Sequence, residues 1–481
     1  MALTCGAMLW LGVLALVLAA CSAPDRLDDV DAGRTLVYDP DEPVFDLDAR
    51  LLLAEHVESG VESDVDSART VPLQALVAVE PSTLVAEADG VEEERVRVRY
   101  QLSVLVRIAG TRTTVREQLW ADTLSASTAE GIRSLTTEMH EARFTLAPGL
   151  YLVEARLDDL STQREAVRQL RIEVPDTSAP DWNTEVRVGR LQLERMNGDG
   201  YTPYLGRTLA ASPESLRVRA TVVTGSDLPV TLHVERLPSD TTVARPPHWL
   251  GPQRGSLAYQ GVRMRDGVVV ARREAVHAGG AADLVLTVPP MTPGLYKIAV
   301  SVGEPEGPGA VSARYLTVLD AGHPRMETMH GLIESLAFMA YERERAFILE
   351  AEAPEERRAR FDAFWGALLG DRRVAANVLR LYYERVEDAN RRFSTVKAGW
   401  KTDRGMLYVL LGPPAYVEFD PMGETWYYGS GLRQDATAFS FRRVDDFGQP
   451  AGWQPYVLQR QAAYEAVWAR ALRRWRTGRA G

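Results

Sequence analysis

Two periodicities divide the chain. From about Arg69 apolar side chains recur at every second position, and past Asp320 they recur every third or fourth. The clearest alternation is RVRVRYQLSVLVRI, Arg95 to Ile108. Val96, Val98, Tyr100, Leu102, Val104 and Val106 fall on one face and mostly polar residues on the other, which predicts a half-buried antiparallel strand. Thr113 to Ala121, Ala142 to Leu146, Leu150 to Leu157 and Val167 to Val174 continue the series, with Gly, Pro, Asp and Ser between them. After the breaker PDTSAPDW the pattern resumes at Glu185 to Leu193, Leu216 to Val223, Val230 to Glu235, Val268 to Arg273, Asp283 to Val288, Leu295 to Val302 and Ala313 to Val318. Two all-β domains are predicted, over residues 67–176 and 183–320.

Their ends share a signature. LAPGLYLVEARL starts at Leu146 and MTPGLYKIAVSV at Met291, each followed by one more strand. The pair resembles the tyrosine corner of immunoglobulin-like sandwiches, where a Pro-Gly turn carries the chain between sheets. The hydroxyl, here of Tyr151 and Tyr296, then bonds back to upstream backbone. Such corners are structural, and sandwiches serve as spacers and as binding modules alike.

In the helical part, Met326, Met329, Ile333, Leu336, Ala337 and Ala340 line one face, and Phe361, Phe364, Trp365, Leu368 and Leu369 another. A third helix turns Val374, Val378, Leu381, Tyr382, Val386, Ala389 and Phe393 inward. Its outer side carries opposite charges four residues apart, a solvated face. The tail, Tyr456 to Gly481, puts Tyr464, Val467, Trp468, Ala471, Leu472 and Trp475 on one helical face amid arginines. That face either closes the C-terminal domain or lies on a membrane or an acidic partner. Residues 323–481 are therefore expected to form an α+β unit of helices and a small antiparallel meander.

Composition narrows the partners. The 481 residues carry a net charge of −11, which argues against nucleic acid. The opening MALTCGAMLWLGVLALVLAAC is apolar, uncharged and too short to span a bilayer, as a secretory signal is over residues 1–20. Leu18-Ala19-Ala20-Cys21 resembles the bacterial lipobox, although no basic residue precedes the apolar run. The resemblance implies a lipid on Cys21, a membrane partner through it, and, with Ser22 next, export to the outer membrane. Residues 21–66, rich in Asp and Glu, are expected to be a solvated tether. Cys5 and Cys21 are the only cysteines, which excludes a disulfide framework, a thiolate zinc site and a cysteine nucleophile in the processed chain.

The densest chemistry is KAGWKTDRGMLYVLLGPP, Lys397 to Pro414. Gly399 is expected to end the preceding helix in a left-handed turn, with Trp400 folding back on the helix. Thr402 and Asp403 bond nearby backbone, Arg404 pairs with a carboxylate, and Gly405 releases a strand from Met406 to Leu411 that Gly412-Pro413-Pro414 stops. Trp426 to Tyr428 and Thr437 to Arg442 supply two more strands. Lys397 and Lys401 are two of the three lysines in the chain and predict a solvated face. The series of helix, GWKTDRG, apolar run, GPP and later ETWYYG resembles the bacterial GWxTD-domain proteins from about Arg360 to Leu458. Where such proteins more often carry an Asp-Pro pair, this chain has Gly370-Asp371. The resemblance implies no established activity.

Read chemically, the segment has no histidine beyond His330, no phosphate-cradling loop and no metal-ligand spacing among Asp403, Glu418, Asp420, Glu424 and Asp435. No cofactor and no catalytic residue is assigned. Lys397, Trp400, Lys401, Thr402, Asp403 and Arg404 remain candidates for either a buried keystone or a ligand contact. The expectation is a lipid-anchored envelope protein acting as a non-enzymatic binding or assembly scaffold with an envelope-protein partner. The rival is an enzyme or glycan-binding module using Asp403, Arg404 and the Trp426–Tyr428 surface.

Overall fold

A computed structural model describes residues 43–54, 70–88, 95–133, 135–162, 164–179, 182, 186–197, 200–211, 216–251, 261–263, 266–303, 310–420, 423–429, 436–443 and 456–479. Residues 1–20, read from the sequence as a signal, and Cys21, Ser22 and Asp435 lie outside them. The N-terminal part is mostly β-sheet, and the C-terminal part is helical with a small antiparallel sheet.

The first β region comprises β1 (Phe45–Leu51), β2 (Val71–Val79), β3 (Glu87–Ala88), β4 (Val96–Ile108), β5 (Thr114–Ala126), α1 (Ala129–Arg133), β6 (Glu138–Leu146), β7 (Gly149–Asp159) and β8 (Arg164–Val174). One sheet runs β1-β2-β6, and a second is built on β3-β4-β7-β8 with β5 beside β4. The alternating Val98, Tyr100, Leu102, Val104 and Val106 of β4 are buried with Leu73, Ala75, Val77 and Val79 of β2 in one core. Tyr100 joins the two sheets, its hydroxyl 2.9 Å from Nε2 of His140.

One expectation is corrected here. The stretch read as an acidic tether includes a strand, since β1 pairs in register with β2 from Phe45 opposite Val79 to Leu51 opposite Leu73. Its acidic residues are interleaved with Phe45 and Ala49, which enter the core, so alternation decides its state where composition suggested solvent. Asp48 is itself buried, within 3.2 Å of Arg190 and 3.6 Å of Arg314 from the next region.

That region contains β9 (Arg187–Val188), β10 (Gln192–Asn197), β11 (Gly200–Tyr204), β12 (Thr208–Ala210), β13 (Leu216–Leu237), β14 (Val268–Val288), β15 (Gly294–Val302) and β16 (Ala310–Leu319). Its sheet runs β11-β10-β13-β15-β16-β12, with β14 and β9 also on β13. Two pairs of predicted strands have fused into the long β13 and β14. Their breakers are absorbed by a register shift between Thr224 and Asp227, opposite Gly279 and Gly280 in left-handed conformation.

The last region holds α2 (Met329–Ser335), α3 (Glu342–Leu349), α4 (Pro354–Leu369), α5 (Arg372–Phe393), α6 (Asp403–Leu411), β17 (Tyr416–Asp420), β18 (Gly423–Tyr428), β19 (Thr437–Arg443), β20 (Tyr456–Leu458) and α7 (Glu465–Arg476). The four strands pair antiparallel in chain order. At the Gly370-Asp371 turn, left-handed Gly370 closes α4 and the Asp371 carboxylate caps α5 by accepting from the N–H groups of Arg373 and Val374. Val378, Tyr382, Val386, Ala389 and Phe393 turn α5 into the core as their spacing predicts. The tail helix α7 packs there too, burying Trp468 and Trp475, with Trp475 Nε1 donating to Leu410 O at 2.9 Å.

Candidate functional site

The Lys397–Pro414 segment is a helix-to-helix junction. Met406 to Leu411 was expected as a strand and is instead the body of α6, followed by the new strand β17. A short apolar run has no decisive period, so the start signal decides: Thr402 is an N-cap whose Oγ1 accepts from the Gly405 N–H at 3.0 Å, with Asp403 in the first turn. That cap was legible in the sequence. Gly412, left-handed with φ of 84°, stops a helix where a strand was expected, its N–H donating to Tyr408 O.

The two other motif glycines act by close approach. Gly399 does not end α5, which closes at Phe393, and it is not left-handed. It opens a 3-10 turn, and a Cβ there would sit 1.9 Å from Ala389 O. Gly405 lies within α6, where a Cβ would sit 2.0 Å from Gly399 O. Each glycine lets two backbones touch. Trp400, buried beside Phe338, donates its backbone N–H to Asn390 Oδ1 at 3.3 Å.

Asp403 is fully buried. Its Oδ2 accepts from the Leu458 N–H at 2.8 Å and from Arg460 Nη1 at 3.1 Å, and its Oδ1 accepts from Arg460 Nη2 at 2.6 Å. This bidentate pair, with Arg460 also donating to Arg245 O, was missed in the sequence because the partner lies far along the chain. Arg404 points elsewhere, over the rings of Phe393 and Tyr456 and 3.7 Å from Glu424. Burial pushes the Glu424 carboxyl up to about 7, against the opposing pull of Arg404 and of the bond from Trp426 Nε1.

Lys397 overturns the expected solvated face: it is 2% exposed. Its Nζ donates to Thr242 O at 2.6 Å and lies 3.2 Å from Asp240 Oδ2, and burial pulls its pKa down against the raising effect of Asp240. Lys401 is largely buried as well, paired with Glu334 at 2.8 Å while its backbone carbonyl accepts from the Ala244 N–H. The β13–β14 connection thus wraps the motif, and Val243 and Ala244 join the core of the helical region.

Of the Trp426–Tyr428 surface in the rival reading, Trp426 is fully buried, while Tyr427 and Tyr428 are half-buried, Tyr427 bonding Glu418 and Tyr428 bonding Gly412 O. Alternation in β18 turns Trp426 inward against Phe393 and Phe441. Tyr151 and Tyr296 each donate to a carbonyl four residues upstream, of Ala147 at 3.0 Å and Thr292 at 2.8 Å. A shallow depression lined by Tyr341, Glu342, Arg343 and Ala346 lies on α3, outside the motif. Among the described residues no three His, Cys, Asp or Glu side chains converge as metal ligands.

With that geometry, residues 305–477 match the family model of the GWxTD domain. The chain carries a GWxTD domain. No curated protein matches it. Among solved structures, red sea bream transglutaminase shares 13% identity at a TM-score of 0.14, covering 52% of this chain and 29% of its own. Dimeric latent PorU from Porphyromonas gingivalis shares 12% at 0.21, covering 52% and 18%, and Salmonella alpha-2-macroglobulin reacted with methylamine 11% at 0.19, covering 59% and 17%. The chain spans less than a third of each of these proteins, and likenesses this slight bear on neither activity nor ligands. The family match begins at residue 305, so the 240–249 segment that wraps the GWxTD motif comes from outside it.

Proposed function

We propose that this is a lipid-anchored envelope protein in which two immunoglobulin-like sandwiches present a GWxTD domain as a non-enzymatic binding or assembly scaffold. The observation that carries the reading is the fate of the motif's polar groups. Asp403 spends both carboxylate oxygens on Arg460 and Leu458, Lys397 is held by Asp240 and Thr242, and Thr402 caps α6. A motif whose charges are committed to internal partners acts as a keystone between β region and helical region. The repeated tyrosine bonds after Pro-Gly turns support the sandwich reading, and the LAAC sequence at Cys21 supports the anchor.

Membranes from cells fed labelled palmitate test the anchor: label on the wild type and none on Cys21→Ala supports it, and equal labelling removes it. Affinity capture from the same membranes, solubilised with the lipid intact, then tests the scaffold role. A stoichiometric envelope protein is expected, and a GWxTD protein recovered alone after in-cell cross-linking would contradict it.

A further inference from the structure

Among the described residues the strand β14 is an open edge. Among the described residues it pairs with β13 alone along its length, while β13 is hydrogen-bonded on its other side to β10, β9 and β15. Among the described residues no strand takes up its outer row of backbone N–H and C=O groups, the row another strand would pair with. Between Val268 and Ala278 the edge holds no Lys and no Pro; its charges are Arg272, Arg273 and Glu274, and its pairing with β13 slips by one residue at Val270. Val268, Val269, Val270 and Val276 are all more than half exposed or close to it, and Val276 reaches 75%. Beyond Ala278 come the left-handed Gly279 and Gly280, opposite the shift between Thr224 and Asp227.

The same stretch is complementary to itself. Strands related by a two-fold axis normal to the sheet pair antiparallel, and directly opposed residues share a face. With the axis at Arg273, Ala271 faces Ala275 of the second copy and Arg272 faces Glu274, and Val276 meets the bulge at Val270. Within one chain Arg272 and Glu274 already sit 2.7 Å apart, both exposed, so the copy would close a four-charge cluster. Moving the axis one residue either way opposes Glu274 to itself or to Val270. Only the Arg273 centre matches the apolar and charged positions together, at the cost of one Arg273 pair whose long side chains splay outward.

We propose that β14 is a homodimerisation edge, in which residues 268–278 of two copies pair antiparallel about Arg273 and extend the two sheets into one. The occupant is a second copy because the strand's own charge order supplies the complement. The test is light-scattering mass of the full chain in detergent. Wild type is expected as a dimer. Arg272→Glu, which sets Glu against Glu274 at both ends of the axis, should weaken it by about tenfold. Adding Glu274→Arg should restore it to within about threefold, since the swapped pair is complementary again. Arg273→Cys should form an inter-chain disulfide under mild oxidation, because that residue alone faces its own copy. A monomeric wild type, a double variant no better than Arg272→Glu, or a dimer that Arg273→Cys does not cross-link would each overturn the proposal. Unchanged circular dichroism in the variants separates lost pairing from lost folding.

Discussion

Arg460 grips Asp403 through both terminal nitrogens, at 2.6 and 3.1 Å, across 57 residues of sequence. The bond ties the start of α6 to the segment leaving β20, and the Leu458 N–H completes the carboxylate's shell. Removing one partner strands a buried charge. Asp403→Ala should therefore cost about 3–5 kcal/mol in urea denaturation. The double variant with Arg460→Ala should cost clearly less than the two single losses added together. Strict additivity would mean that the two side chains do not act as a pair.

Glu424 gives the domain a pH dependence. Burial raises its carboxyl from the ordinary range near 4.5 to about 7, so the folded protein holds this proton more tightly than the unfolded chain. Its contribution to stability is complete below pH 4.5 and is lost as pH rises through 7, by roughly 3 kcal/mol from the size of the shift. Glu424→Gln keeps an acceptor for Trp426 and cannot ionise. The difference in unfolding free energy between variant and wild type should grow between pH 5 and 8 in the variant's favour, and a constant difference would show that Glu424 does not titrate there.

Much of this was legible. Period-two alternation located β4, β7, β8 and β15, and three-four spacing located α4, α5 and the apolar face of α7. What failed had local causes. The Met406–Leu411 run carries no period that separates helix from strand, β1 hides its alternation behind aspartates, and the glycines at 225 and 279–280 bend long strands without ending them. At the site, Arg460, Asp240 and Ala244 escaped notice because they reach the motif only through tertiary packing, from sequence on both sides of it. Lys397 was misread by its residue type, which favours water unless a carboxylate is folded onto it.

The glycines offer a contrast within one domain. At Gly399 and Gly405 a Cβ would stand 1.9 and 2.0 Å from backbone oxygens, which cannot yield as a side chain can. Gly399→Ala or Gly405→Ala should therefore destabilise by about 3 kcal/mol or more. Gly366, exposed in the middle of α4 with open space around it, is the control: Gly366→Ala should stabilise by about 0.5–1 kcal/mol. Melting curves of the three proteins would settle the order, and equal gains at all three sites would point to helix propensity rather than backbone contact.

The last prediction concerns the seam between the β13–β14 connection and the motif. Lys397 lies 3.2 Å from Asp240, both are buried, and the lysine is held below its ordinary pKa by desolvation. Asp240→Ala takes away the carboxylate beside the buried ammonium group, whose bond to the Thr242 carbonyl remains, and it also removes the acceptor that orders the Thr242 N–H. Loss of one member of such a pair costs about 3–5 kcal/mol, whereas an apolar side chain of similar volume in place of both is often close to neutral. Asp240→Ala should thus be the most damaging change, Lys397→Met milder, and Asp240→Ala with Lys397→Met better than Asp240→Ala alone. Limited proteolysis at the 240–249 segment reads the same order locally. If the connection is cut no faster in Asp240→Ala than in the wild type, this ion pair is not what fastens it to the motif.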